Sequence, residues 1–461
     1  MTRWTTRALT VALIVSTAPL FAQAQPQPQP QPRAQPQLQP RPQARPAPST
    51  PRANPLLTGT QALFDGYVAQ KKMPGIVGAF GLGDTPTQFV SAGTISADGG
   101  AAVAGPDSLW RVYSMTKPIT AMAAMMLIED GRLKLDQPIA DFFPEYRQMK
   151  VATAPGTSLA ARPARTPITV RHLLTHTAGL GYSITVKGPL LKEYERLGLI
   201  PAALNPALEG AMRAARPTTL AEFARRAAQV PLIAEPGTTW SYSMGIDVLA
   251  AVIEKAAGMP YERFLQTRMF APLGMTSTSF TVSAADAGRL VTNYAFVGDR
   301  LTPVDPGATS VFLQPPSFPY GGAGLVSSAR DYDRFLHMLA NGGTLGGRRV
   351  MKAETVALGM SNLLPRGVTF AGIGGGTGGT QAGVPMGFGA GGSVYLADMP
   401  DGGSRGTYGW GGAAGTIAWV DPARKLRGTV MVQYFPAEKW PLRREVPAAL
   451  LKDAARLHPA R

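Results

Sequence analysis

The chain has 461 residues, a net charge of +16, no cysteine and only four histidines. Disulfides, thiolate nucleophiles and Cys-based metal sites are therefore excluded. None of His172, His176, His337 and His458 stands in an H-E-x-x-H spacing, so no metal or other cofactor is expected.

Residues 1–24 read as a signal peptide. Arg3 and Arg7 give a basic start, an apolar stretch follows, and Ala22-Gln23-Ala24 is a small-x-small cleavage site. Ser16, Thr17 and Pro19 break the apolar run too early for a membrane span. The expectation is a periplasmic or secreted protein with no stable membrane insertion after cleavage; an uncleaved anchor is the alternative. Residues 25–55 contain 11 prolines and no acidic residue, the composition of an extended, disordered linker. Residues 56–461 form one domain, long enough for a large core. Six arginines upstream of it carry +6, which leaves it +10. That charge suits an anionic bacterial envelope. With no basic helix or aromatic–basic stripe, no nucleic-acid partner is expected.

Along the domain, 57–72 reads as a helix, and "MPGIVGAFGLGDTPTQFVSAGT" as two strands around a Gly-Asp turn. Residues 115–130 form a helix apolar on nearly every face, hence buried, with Gly131 ending it. An alanine-rich helical region occupies 150–230. "EPGTTWSYSMGIDVLAAVIEKAAG" is a turn, an extended piece and a helix stopping at Gly258. Residues 372–392, "GIGGGTGGTQAGVPMGFGAGG", contain a G-x-G-x-x-G match at Gly374, Gly376 and Gly379. Without a strand before and a helix after, this is a mobile loop rather than a nucleotide site. "YGWGGAAGTIAWVDPARKLRGTVMVQYF" reads as a strand, a turn at Asp421-Pro422 and a second strand; a last helix covers 443–457. Strands at both ends with helices between them predict an α+β fold. An antiparallel sheet is flanked by the N- and C-terminal helices, with an inserted, mostly helical lobe.

Chemistry enters at "RVYSMTKPIT". Lys117 is the one lysine with a serine, Ser114, three positions before it. On a helix the two share a face. A helix start favours developing negative charge, and a buried lysine is pushed toward a neutral, basic amine. A serine cap beside a snorkelling lysine is the bland alternative.

"SMTKPIT", "ITVRHLLTHTAGL", "PGTTWSYSMGIDVLAAVIE" and "YGGAGLVSSARDYDRFLHMLANGG" together resemble the serine β-lactamase and penicillin-binding-protein-like hydrolases. The nearest kin in pattern are the class C β-lactamases and family VIII carboxylesterases. The likeness runs over about residues 60–450, with the blocks in the family's order. It implies Ser114 as nucleophile, with Lys117 and Tyr242 as a shared base system. Tyr182-Ser183 repeats the dipeptide at a place where the family has no catalytic tyrosine, so Tyr182→Phe is expected to be silent. Met244 stands where many β-lactamases have an asparagine.

The third motif departs further. Trp410-Gly411-Gly412 replaces Lys-Thr-Gly, which resembles the esterases. The resemblance implies Trp410, Gly411 and Gly412 as substrate-binding residues, and the Ser114 and Ala413 amides as the oxyanion hole. Arg405, five residues upstream of Trp410, is the cation able to restore the lost charge. His176 is read as structural. The expected reaction is hydrolysis of a small-molecule carboxylic ester through an acyl-serine. A β-lactamase, a D-amino-acid peptidase acting on an amide and a transesterase are alternatives within the family. An inactive envelope-binding protein is the alternative of another class.

Overall fold

The computed structural model describes residues 54–83, 85–201, 204–370, 372, 380–381, 383–400 and 402–457. The signal peptide, the linker up to residue 53 and the Gly374-Gly376-Gly379 motif lie outside the described residues.

Eight antiparallel strands form the main sheet. In chain order they are β1 (Gly75–Leu82), β2 (Gln88–Gly93), β3 (Thr380–Gln381), β4 (Val384–Phe388), β5 (Ser393–Tyr395), β6 (Tyr408–Gly411), β7 (Ile417–Asp421) and β8 (Leu426–Met431). Their spatial order is β3-β4-β5-β6-β7-β8-β1-β2. The two ends of the domain meet where β1 pairs with β8, Val77 opposite Met431 and Leu82 opposite Leu426.

All eight residues of β1 are buried, because helices cover both faces of the sheet. Alternation along the strand sends Ile76 and Phe80 to one core and Val77 and Ala79 to the other. On the first face lie helices α1 (Thr58–Ala69) and α8 (Leu442–Leu457), joined by Asp453, which accepts from the Gly59 and Thr60 amides and the Thr60 hydroxyl. On the second lies a larger core built on α2 (Thr116–Glu129), α6 (Gly245–Ala257) and α7 (Ala329–Ala340). Helices α3 (Gly188–Arg196), α4 (Pro206–Met212) and α5 (Leu220–Ala227) form the expected lobe between α2 and α6. Left-handed glycines close α2 and α6, Gly131 at φ 72° and Gly258 at φ 62°.

Two expectations are corrected. The run from Tyr408 is two strands, because Gly412 and Gly415 fold the chain back between β6 and β7 and leave Ala413 exposed in the turn. Residues 372–392 are not all loop: Val384–Phe388 is a sheet strand, its register set by pairing to Ser393–Tyr395. Glycine lowers local strand preference, and sheet pairing overrides it.

Candidate active site

Ser114 leaves the sheet region through a strained corner. Trp110–Arg111 pairs with Val326–Ser327, then Tyr113 takes a left-handed φ of 42°, and Tyr113–Met115 form one 3₁₀ turn ahead of α2. Such a conformation costs about 1 kcal/mol or more and has to be held by its surroundings. The Tyr113 hydroxyl accepts from Asn293 Nδ2 at 3.0 Å. Arg111, fully buried, binds Asp305 at 2.6 Å, the Val291 carbonyl at 2.6 Å and the Ser310 hydroxyl at 2.8 Å. The turn is thus clamped on both sides, and Ser114 alone among residues 111–120 keeps some solvent exposure.

Ser114 Oγ accepts from Tyr242 Oη at 2.6 Å and from Lys117 Nζ at 3.2 Å. Lys117 also donates to the Gly322 carbonyl at 2.7 Å. Its Nζ lies 4.6 Å from the centre of the Tyr242 ring and 5.5 Å from that of Tyr182. Two side chains, one a helical turn away and the other 128 positions away in sequence, therefore converge on one oxygen, and a proton leaving Ser114 has either in reach.

Tyr182, set aside in the sequence as a duplicate dipeptide, belongs to the site: its ring stands 5.6 Å from that of Tyr242. His176 does not reach Ser114. Its Nδ1 pairs with Ser243 Oγ at 2.9 Å, and its ring packs 4.9 Å from Tyr242. Burial, and then Lys117, hold its pKa well below the ordinary histidine value, so it is a neutral spacer. Met244 is buried and precedes α6.

The remaining wall is β6. Its pairing to β5 stops at Gly409, whereas its pairing to β7 continues to Gly411, so the edge at Trp410–Gly412 is open among the described residues. Trp410 lies 5.8 Å from the Tyr242 ring and 5.2 Å from Phe388, and its indole N–H has no partner among the described residues. The Ala413 amide likewise donates to no described group. Arg405 is exposed on the β5–β6 connection, at the other end of β6, where its amide binds Asp398. The guanidinium that reaches this strand is that of Arg443 on α8: a Cβ on Gly411 would lie 2.4 Å from it.

Sequence reading missed Asp247 and Gly322. Asp247 is buried in the first turn of α6 and accepts from the Gly322 amide at 2.8 Å. Burial raises its carboxyl above the usual aspartate value, against the pull of Lys117 and the Gly322 amide. The available signal was an aspartate inside the apolar run "MGIDVLAAVI". No group of three or more metal-binding side chains occurs among the described residues.

A family model described as Beta-lactamase matches residues 60–451. The chain belongs to the beta-lactamase family. A protein of Mycobacterium tuberculosis described as uncharacterized is 34% identical over 344 residues, which cover 72% of this chain and 78% of that one. Esterase EstB of Burkholderia gladioli is 34% identical over 255 residues, 52% of this chain and 59% of its own. Among solved structures, "EstCE1, a hydrolase with promiscuous acyltransferase activity", superposes with a TM-score of 0.69 at 25% identity, covering 86% of this chain and 98% of that one. The α+β fold is that of the β-lactamase and penicillin-binding-protein-like hydrolases, and by class the chain is a serine hydrolase or acyltransferase.

Proposed function

We propose that this chain is an exported serine hydrolase that cleaves neutral carboxylic esters through an acyl-Ser114 intermediate. The observation that carries the reading is the convergence of Tyr242 Oη and Lys117 Nζ on Ser114 Oγ, at 2.6 and 3.2 Å. As Oγ attacks the ester carbonyl carbon, its proton passes to the Lys117–Tyr242 pair, of which one member is unprotonated when the ester is bound. The oxyanion is held by the Ser114 and Ala413 amides. Collapse breaks the carbon–oxygen bond, and the pair returns the proton to the departing alcohol. Water then attacks the acyl-serine and gives its proton to the same pair; collapse breaks the bond to Ser114 Oγ, the pair returns the proton to that oxygen, and the acid leaves.

Ester over lactam rests on β6. A β-lactam antibiotic carries a carboxylate, and Trp410 offers it an apolar ring and one N–H in place of a lysine's charge. The likeness to the esterase EstB and the hydrolase EstCE1 supports the same choice. An alcohol entering in place of water gives acyl transfer by the same steps, and the promiscuous acyltransferase activity of EstCE1 favours that as a second activity.

A fluorophosphonate probe should label Ser114, and Ser114→Ala should lose at least about a thousandfold in turnover. On one preparation, kcat/KM for p-nitrophenyl acetate or butyrate should exceed that for nitrocefin by roughly a hundredfold, a few kcal/mol in barrier. Equal turnover of the two would make the enzyme a β-lactamase, and an unlabelled chain with no ester turnover would point to an envelope-binding protein.

A further inference from the structure

We propose that Asp247 is a positioning residue for ester hydrolysis, holding Lys117 against Ser114 by way of Gly322. The inference rests on the reading of Ser114 as nucleophile and Lys117 as part of its base system.

Lys117 has no exposed surface, and its head group makes two hydrogen bonds, to Ser114 Oγ and to the Gly322 carbonyl. The second is the shorter, so the position of that carbonyl sets the position of the amine. Residues 321–325 have no regular structure of their own. They are fastened to α2 at two points: Thr120 Oγ1 donates to the Gly321 carbonyl at 2.6 Å, and the Leu325 amide donates to Thr116 Oγ1 at 3.1 Å. Between these points, the Gly322 amide is fixed by Asp247 Oδ1 at 2.8 Å. Residue 322 has to be glycine for the carboxylate to close in, because a Cβ there would stand 2.6 Å from Asp247 Oδ2. The chain of contacts runs from α6 through a loop to α2 and ends on the nucleophile.

The environment of Asp247 makes a purely structural purpose costly. Its α6 neighbours Ile246, Val248 and Leu249 are buried and apolar. The titratable groups that feel it are Lys117 on α2, the phenols of Tyr182 and Tyr320, and that of Tyr261 at the start of the helix after α6. Of these, Lys117 alone is a cation. A buried carboxylate held by backbone amides alone, those of Gly322 and of Asp247 itself, with no ion pair among the described residues, is a net cost to folding. What the site gains is a fixed amine with a negative charge near it.

Asp247→Asn keeps the shape and the oxygen that receives the Gly322 amide, and removes the charge. With p-nitrophenyl butyrate, kcat should fall at least about tenfold while KM changes less than about threefold. The acid limb of the kcat/KM profile should move to lower pH, since without the carboxylate the base system loses its proton more easily. The melting temperature at pH 7 should hold or rise. Gly322→Ala pushes the carboxylate away and leaves the charge in place, so it should also lower kcat. Wild-type kcat with an unmoved acid limb in Asp247→Asn would overturn the proposal. So would a melting temperature that drops sharply in Asp247→Asn while Gly322→Ala keeps full kcat, the pattern of a residue needed only for folding. If the wild-type chain takes the fluorophosphonate at Ser114 but hydrolyses no ester, the ester reading alone fails. The two variants are then compared by labelling rate against pH, with the same slower rate and the same shifted limb expected.

Discussion

Lys117 has no exposed surface at all, yet it carries an amine into an apolar core. An unpaired charge there would cost several kcal/mol. The Gly322 carbonyl, Ser114 Oγ and the faces of Tyr182 and Tyr242 offset that cost, each ring contributing about 0.5–2 kcal/mol. Because Lys117 and Tyr242 meet on one oxygen, they should behave as one unit. Lys117→Ala and Tyr242→Phe should each slow acylation by about a hundredfold or more, with the double variant little worse than either. Pre-steady-state burst rates measure this, and losses that simply multiply would break the shared-proton picture. Tyr182 now needs two variants. Tyr182→Phe keeps the ring and should stay within about threefold of wild type, whereas Tyr182→Ala empties the space beside Tyr242 and should cost about tenfold.

One element carries much of the substrate side, the turn between β6 and β7. A Cβ on Gly412 would stand 2.2 Å from Thr416 Oγ1 and 2.5 Å from the Val112 carbonyl, and the second neighbour is backbone that cannot swing aside. Gly412→Ala should therefore displace the Ala413 amide and lower kcat by about a hundredfold, with a much smaller effect on KM. Comparing the two parameters on one ester checks it; a KM effect alone would remove Ala413 from the oxyanion hole. This turn also marks the limit of what local sequence carries. Ser114 and Lys117 are legible because a helical turn brings them together, and Tyr242 because its block follows theirs in order. Helices α1, α2, α6 and α8 are legible in the sequence, α2 and α6 with the glycines that end them. Gly322 lies 205 positions from Lys117, and its role depends on a loop whose shape is set by α2 and α6. Strand β4 is hidden in glycine-rich sequence, and Arg443 reaches β6 only because α8 lies across the sheet.

At the scale of the molecule, acid should weaken the fold through its buried histidines. His172 is 8% exposed, and burial holds its pKa near 4; His176 is held well below its ordinary value. The unfolded chain takes up protons near pH 6.5 that the folded chain refuses. Their contribution is thus complete above about pH 6.5 and falls away toward pH 4, by up to about 1.4 kcal/mol per pH unit for each group. Urea midpoints between pH 7 and 4.5 should follow that slope. His172→Gln should flatten it, because glutamine at this helix position can still accept from the Thr169 amide as His172 Nδ1 does. An unchanged slope would rule His172 out as a source. The sheet has a further consequence, in time. Strand β1 emerges early from the ribosome, but its partner β8 follows about 350 residues later. At roughly 5–20 residues per second that is a wait of about twenty seconds to a minute. Through that interval β1 has only β2 beside it in the sheet, and its other edge has no strand to pair with. The nascent chain is therefore most vulnerable to aggregation before its last tenth is made, and whatever shields the β1–β2 hairpin over that minute governs the yield of folded enzyme.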